Sequence, residues 1–156
     1  MSVRAVGLTR KGHALDTIES HRQRLIQSFD GLSAKEMVQP LADDEWSVKD
    51  ILTHVTSWEE LILLDLRRIQ RGRRPARYHA GNDAWNPVLM QGRDAFPLDQ
   101  VLNEFQQVHD SLVDLLTVLN EDLFPGEVTG ICNVLSLHDW EHSEQIKRWR
   151  ASQQRP

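Results

Sequence analysis

The stretch Trp46-Ser47-Val48-Lys49-Asp50-Ile51-Leu52-Thr53-His54-Val55-Thr56-Ser57-Trp58-Glu59 decides the fold class. Ser47 is a helix-capping residue type, and Asp50, three positions on, sits where the helix dipole favours a negative charge. A capping box proper has Glu or Gln at that place, so Ser47–Asp50 is an approximate match. Ile51, His54, Trp58 and Leu61 then follow at spacings of three, four and three, one face of a helix. Gly72 and Pro75 stop a helix that starts at Val48 and ends near Gln70.

Working outward, the same period appears in three more blocks. Block one runs from about Thr9 to Phe29, with Leu15, Ile18, Leu25, Ile26 and Phe29 on its inner stripe. Gly31 ends it, and Ser33 caps a short turn through Met37. Block three opens at Pro97 and carries Leu98, Val101, Leu102, Phe105, Val108, Leu112, Leu115, Leu116 and Leu119. Pro125-Gly126 separates it from block four, about Thr129 to Ser152. No strand-like alternation persists, and there is no internal repeat. The reading is all-α: a four-helix bundle forming one domain over residues 1–156, with a long crossover (Arg71 to Phe96) between the second and third bundle helices. A short helix around Asn86 to Met90 is expected inside that crossover, since long connections in compact domains are usually functional or partly structured.

The composition agrees: hydrophobic residues make up 40% and charged residues 26%, with eight Gly and six Pro. The net charge of −5 argues against a dedicated nucleic-acid binder. The single cysteine, Cys132, excludes an internal disulfide and reads as a small buried hydrophobe. Met1 to Gly7 lacks the apolar stretch of a signal peptide, and the run Leu61-Ile62-Leu63-Leu64 breaks at Asp65, so a cytoplasmic protein without a membrane span is expected.

Seven histidines are present, and the stripes sort them. His54 lies on the inward stripe of block two. His138 and His142, one turn apart, lie on a stripe of block four with Ile131, Leu135, Gln145 and Trp149. A buried histidine ordinarily finds a hydrogen-bond partner, but several imidazoles in one small core need a common one. Three neutral ring nitrogens around an open position suit a divalent cation, zinc or nickel first. His13 and His79 are expected at the surface; His21 and His109 flank inward stripes, with His109 the reserve ligand. His138-Asp139-Trp140-Glu141-His142 also matches the H-x-x-E-H pattern of one peptidase group. With no mixed sheet and 14 residues after His142, that match is coincidental. Glu141 remains the candidate general base, and Glu59 or Glu141 the candidate support for a ligand imidazole. Trp58 and Trp85 are candidate walls of a substrate pocket.

The segment Trp46–Glu59, together with Asn82-Asp83-Ala84-Trp85-Asn86, Pro97 to Leu116 and His138–His142, resembles the DinB/YfiT-like superfamily, and within it the ClbS/DfsB branch. The resemblance implies an up-down-down-up bundle, a two-fold dimer, and a metal site whose three histidines correspond to His54, His138 and His142. It also implies a small-molecule substrate, with a low-molecular-weight thiol as cosubstrate in some relatives. Two function classes follow. One is a metal-dependent transferase or hydrolase that activates water or a thiol against a small electrophile. The other is a protein that sequesters such a molecule without turnover. A third use, partner or nucleic-acid binding by Arg67, Arg68, Arg71, Arg73, Arg74 and Arg77, competes with a solvated helix end favoured by the dipole.

Overall fold

In the computed structural model, which describes residues 9–76 and 82–154, the capped stretch becomes the helix α3. Its capping box is complete with aspartate: Ser47 Oγ accepts from the Asp50 amide at 3.1 Å, and Asp50 Oδ2 accepts from the Ser47 amide at 2.9 Å. The shorter carboxylate serves as well as glutamate because Ser47 also donates its hydroxyl to it. The helices are α1 (Arg10–Phe29), α2 (Ala34–Met37), α3 (Val48–Gln70), α4 (Asn82–Met90), α5 (Leu98–Val118) and α6 (Thr129–Gln153). α4 lies within the crossover and is longer than the sequence pattern suggests. An irregular turn with Gly126 at φ 103° leads into α6. No strand occurs among the described residues, and none of their helices is long and apolar enough to cross a membrane.

The contacts fix the topology. Arg22 of α1 meets Asp139 of α6, and Ser28 meets Arg150, so these two helices run parallel. Val55 shares a buried cluster with Phe105, and Leu66 shares another with Leu112 and Leu116, so α3 and α5 are parallel too. Ile18 joins Leu66 while Leu25 joins Val48, which makes α1 antiparallel to α3. The order is up-down-down-up, and it needs the long crossover because α3 and α5 point the same way.

The core has two apolar halves with a polar layer between them. One half gathers around Leu66, Leu112, Leu116 and Phe124, the other around Leu25, Ile51, Leu52 and Ile146. Between them each long helix contributes one polar side chain: Arg22, Glu59, His109 and Asp139, all buried. Arg22 Nε donates to Asp139 Oδ2 at 2.8 Å, Arg22 Nη2 donates to Glu59 Oε1, and His109 Nδ1 lies 2.9 Å from the same Glu59 oxygen. The Arg22 guanidinium also lies over the Phe105 ring, 4.2 Å from its centroid.

Two sequence expectations are corrected here. His109 is not a reserve ligand; its ring is committed to Glu59. Glu59, held by Arg22 and His109, does not support a ligand imidazole. Cys132 is buried, and burial pushes its thiol up to about 11, so it packs as a hydrophobe. Arg67, Arg68, Arg71, Arg73 and Arg74 are exposed around the C-terminal end of α3, as a solvated helix end would be. Arg77, Tyr78 and His79 lie outside the described residues.

Candidate metal centre

α3 and α6 run antiparallel where His54 faces the pair His138 and His142. The buried line of α6 runs through Cys132, Leu135, Ser136, Asp139, Ser143, Ile146 and Trp149, so the two histidines stand on its flank, half-buried. Spacing alone puts them on the inward stripe itself. The displacement leaves their rings between core and solvent. His54 is buried at 5% exposure.

The three imidazoles converge. His54 Nε2 lies 2.8 Å from His138 Nε2, and His142 Nε2 lies 3.1 Å from the same atom. One ring nitrogen from each residue falls within 4.8 Å of the others. The rings are steeply inclined, at 75°, 80° and 67°, so their edges rather than their faces meet.

This arrangement fits a cation better than it fits three hydrogen-bonded rings. Each neutral imidazole nitrogen offers either one lone pair or one N–H, so His138 Nε2 cannot make good hydrogen bonds to both neighbours. His142 Nδ1 is 2.9 Å from Gln145 Oε1, which accepts its proton and leaves the Nε2 lone pair facing the cluster. A cation bonded at roughly 2.0–2.1 Å to each nitrogen needs nitrogens about 2.8–3.4 Å apart for bond angles between 90° and the tetrahedral value. The two short separations fall within that range, and the third pair of ring nitrogens lies within 4.8 Å.

The environment keeps the rings neutral, the form a metal ligand must have. Burial, aided by the nearby His142 ring, holds His54 down to about 3. Burial likewise holds His138 well below 6.5, helped by the two other imidazoles and by Arg22. His142 is lowered by burial, against the opposing pull of its Gln145 hydrogen bond and the Glu141 charge. Burial raises Asp139 to about 6, with Arg22 opposing. For the histidines the folded values lie below the unfolded one, so the unfolded chain takes up protons first and stability falls as the pH drops from 6.5 toward 3. Asp139 acts in the opposite sense: its contribution is full below 3.8 and lost as the pH rises through 6. With three groups against one, the metal-free protein is expected to melt at a lower temperature at pH 5 than at pH 7, a difference calorimetry reads directly.

Aromatic side chains surround the cluster. Trp46 packs on His54 at 4.6 Å between ring centroids, and Trp58 stands edge-on to it at 6.5 Å. Trp58 Nε1 donates to Asn86 Oδ1 at 3.0 Å, tying α4 to α3 beside the site; Trp85 is half-buried on α4. Glu141 is exposed, one residue before His142, and lines a cleft of about 660 Å³ that reaches His142. Trp58 and Trp85 are not in that cleft's lining, whose aromatic residue is Trp149. His13 is exposed as expected, and His21 Nδ1 lies 2.7 Å from the Ser136 carbonyl, fastening α1 to α6.

Among solved structures, the chain resembles one described as "Sibling Lethal Factor Precursor - DfsB", with a TM-score of 0.77 and 14% identity over 94% of this chain and 98% of that one. A second, YfiT from Bacillus subtilis, is described as a probable metal-dependent hydrolase with an unusual four-helix bundle topology. It aligns with a TM-score of 0.64 and 16% identity over 98% of this chain and 93% of that one. At such identities the likeness is one of fold. No curated protein matches the sequence. The family model for the DinB superfamily matches residues 17–146, which hold all three histidines of the cluster, and the chain therefore belongs to the DinB superfamily.

Proposed function

We propose that this protein is a metal-dependent enzyme in which His54, His138 and His142 hold one divalent ion, zinc or nickel, and a small electrophilic substrate is attacked by water or a thiol at that centre. The observation that carries the reading is the convergence of three neutral ring nitrogens at the edge of the core, where one of them meets an open cleft. The description of YfiT as a probable metal-dependent hydrolase supports the same class.

A divalent ion at such a site supplies a Lewis acid that makes water or a thiol nucleophilic near neutral pH. The chain's own residues do the rest. Gln145 fixes the His142 tautomer by accepting from Nδ1. Trp46 packs on the His54 ring and Trp58 stands edge-on beside it, which limits the ring's orientation. Glu141, exposed at the cleft, is the carboxylate available to take the proton released by the nucleophile.

The test is a count of turnovers. Zinc- or nickel-loaded protein is incubated with a panel of small epoxides and activated esters, with and without a low-molecular-weight thiol. Loss of many equivalents of one electrophile per chain, abolished by His138→Ala, is the expected result. Consumption that stops at one equivalent would instead identify a sequestering protein. We also expect a two-fold dimer, in keeping with the exposed apolar residues Val134 and Leu137 on α6. Light scattering that gives the monomer mass of 18.0 kDa throughout the micromolar range would overturn that assembly.

A further inference from the structure

α3 and α6 carry the three histidines, and the polar tie between these helices comes from a third. Arg22 of α1 donates from Nε to Asp139 Oδ2 of α6 at 2.8 Å, and its Nη2 reaches Asp139 Oδ1 at 3.3 Å. The same Nη2 donates to Glu59 Oε1 of α3. One planar guanidinium therefore spans both ligand-bearing helices. Asp139 follows His138 directly, and Glu59 comes five residues after His54, about 7.5 Å along the helix axis. The clamp is itself fixed from α5: the Phe105 ring lies under the guanidinium at 4.2 Å, and His109 Nδ1 stands 2.9 Å from Glu59 Oε1. Among the described residues, Arg22, Glu59 and Asp139 make no hydrogen bond to a ring of the cluster. Whatever they do for the histidines passes through the backbones of α3 and α6.

Stability alone does not account for this layer. Arg22 Nη1, Glu59 Oε2 and His109 Nε2 are buried without a hydrogen-bond partner, so each keeps a desolvation cost that an apolar side chain would not carry. Well-packed apolar residues in place of a buried ion-pair group are often as stable or more so. What the guanidinium adds is direction, because its N–H groups form a rigid fork that fixes where two carboxylates stand. The metal centre has use for such direction. His54 Nε2 lies 2.8 Å from His138 Nε2, at the lower edge of the range of about 2.8–3.4 Å that one bound ion allows. A change of about 1 Å in the separation of α3 and α6 takes that pair out of the range.

We propose that Arg22 is a positioning residue of the metal centre: by holding Glu59 and Asp139 on one guanidinium, it sets the separation and register of α3 and α6. It thereby sets the span between His54 and the pair His138 and His142. The proposal rests on the metal-centre reading, since it gives the layer a purpose at the ion. Arg22 touches neither ion nor substrate. Its signature is a site that binds more weakly, and in an altered geometry, within a protein that stays folded.

The experiment loads the full chain with cobalt(II), whose d–d absorption reports coordination geometry, and measures its affinity by chelator competition. Arg22→Lys keeps the charge but replaces the fork with a single ammonium. Its cobalt affinity should fall roughly tenfold or more, as when a supporting contact to a metal ligand is lost, and its d–d bands should shift. A second variant, Arg22→Met/Glu59→Leu/Asp139→Leu, makes the layer apolar, an exchange that buried ion pairs often tolerate without loss of stability. It should lose affinity in the same way while its circular dichroism stays helical. Leu116→Ala is the control, a large deletion in the core on α5, which carries none of the three histidines. It should melt at a lower temperature and keep the parent's cobalt affinity and bands. Parent-like affinity and bands in either Arg22 variant, or an equal loss in Leu116→Ala, would overturn the proposal and leave the metal reading standing. A triple variant that does not fold would overturn it too, by assigning the layer to the fold rather than to the site. A parent protein that takes up no cobalt would refute the metal reading itself, and the proposal with it.

Discussion

Replacing His138 with alanine is expected to lower zinc or nickel affinity by at least about a hundredfold, as much as the loss of a strong supporting contact to a metal ligand and more. His138 is the residue to choose because its Nε2 is the common neighbour of the other two rings, 2.8 Å from His54 and 3.1 Å from His142. The helices should survive. The two apolar halves of the core are complete without it, and the cluster joins only α3 and α6. Circular dichroism and a chelator-competition titration on the same sample read both outcomes. A variant that unfolds as its metal leaves would assign the ion to the folding free energy, as in small zinc domains. A variant that keeps its metal would remove His138 from the site.

The largest expected effect on stability lies one residue away, in the polar layer. Arg22→Ala removes the guanidinium that Asp139 and Glu59 share, and leaves two carboxylates buried without their cation. Breaking a buried ion pair by deleting one partner costs about 3–5 kcal/mol, because the remaining charge stays desolvated. Urea denaturation should therefore show a midpoint far below the parent's, with little change in slope. The layer already strains its satisfaction: Arg22 Nη1, Glu59 Oε2 and His109 Nε2 are buried with no hydrogen-bond partner. A loss below about 1 kcal/mol, the scale of an exposed pair, would mean the layer is far wetter than its burial indicates.

The bundle was legible because its signals are local and agree with one another. Ser47 starts α3, Ser33 caps α2, Gly31 and Gly72 end helices at positive φ, and each long helix carries an apolar stripe. The histidine cluster was legible for a related reason: a pair one turn apart and a third on another stripe can meet only if the stripes face each other. The polar layer was harder to read. Arg22 falls on the Ile18–Leu25 stripe at spacings of four and three, and Asp139 lies between Leu135 and Ile146 on the buried line of α6. Those spacings are visible in the sequence. A lone charge on a stripe ordinarily points outward or snorkels, though, and only the folded bundle shows four such residues at one level. The cleft was out of reach for a different reason. Glu45 and Trp149, which both line it, are about a hundred residues apart, and although aspartate is among the residue types enriched in the left-handed region that Asp44 occupies, nothing local to that turn says which helix it faces.

The central claim is that His54, His138 and His142 bind one divalent ion, and its most direct test is elemental analysis of the protein purified without a histidine tag and without chelator. The account predicts about one equivalent of zinc or nickel per chain, retained through gel filtration and absent from His138→Ala prepared in the same way. Wild-type protein that carries no transition metal after purification, and takes up none from a zinc- or nickel-containing buffer, would contradict it.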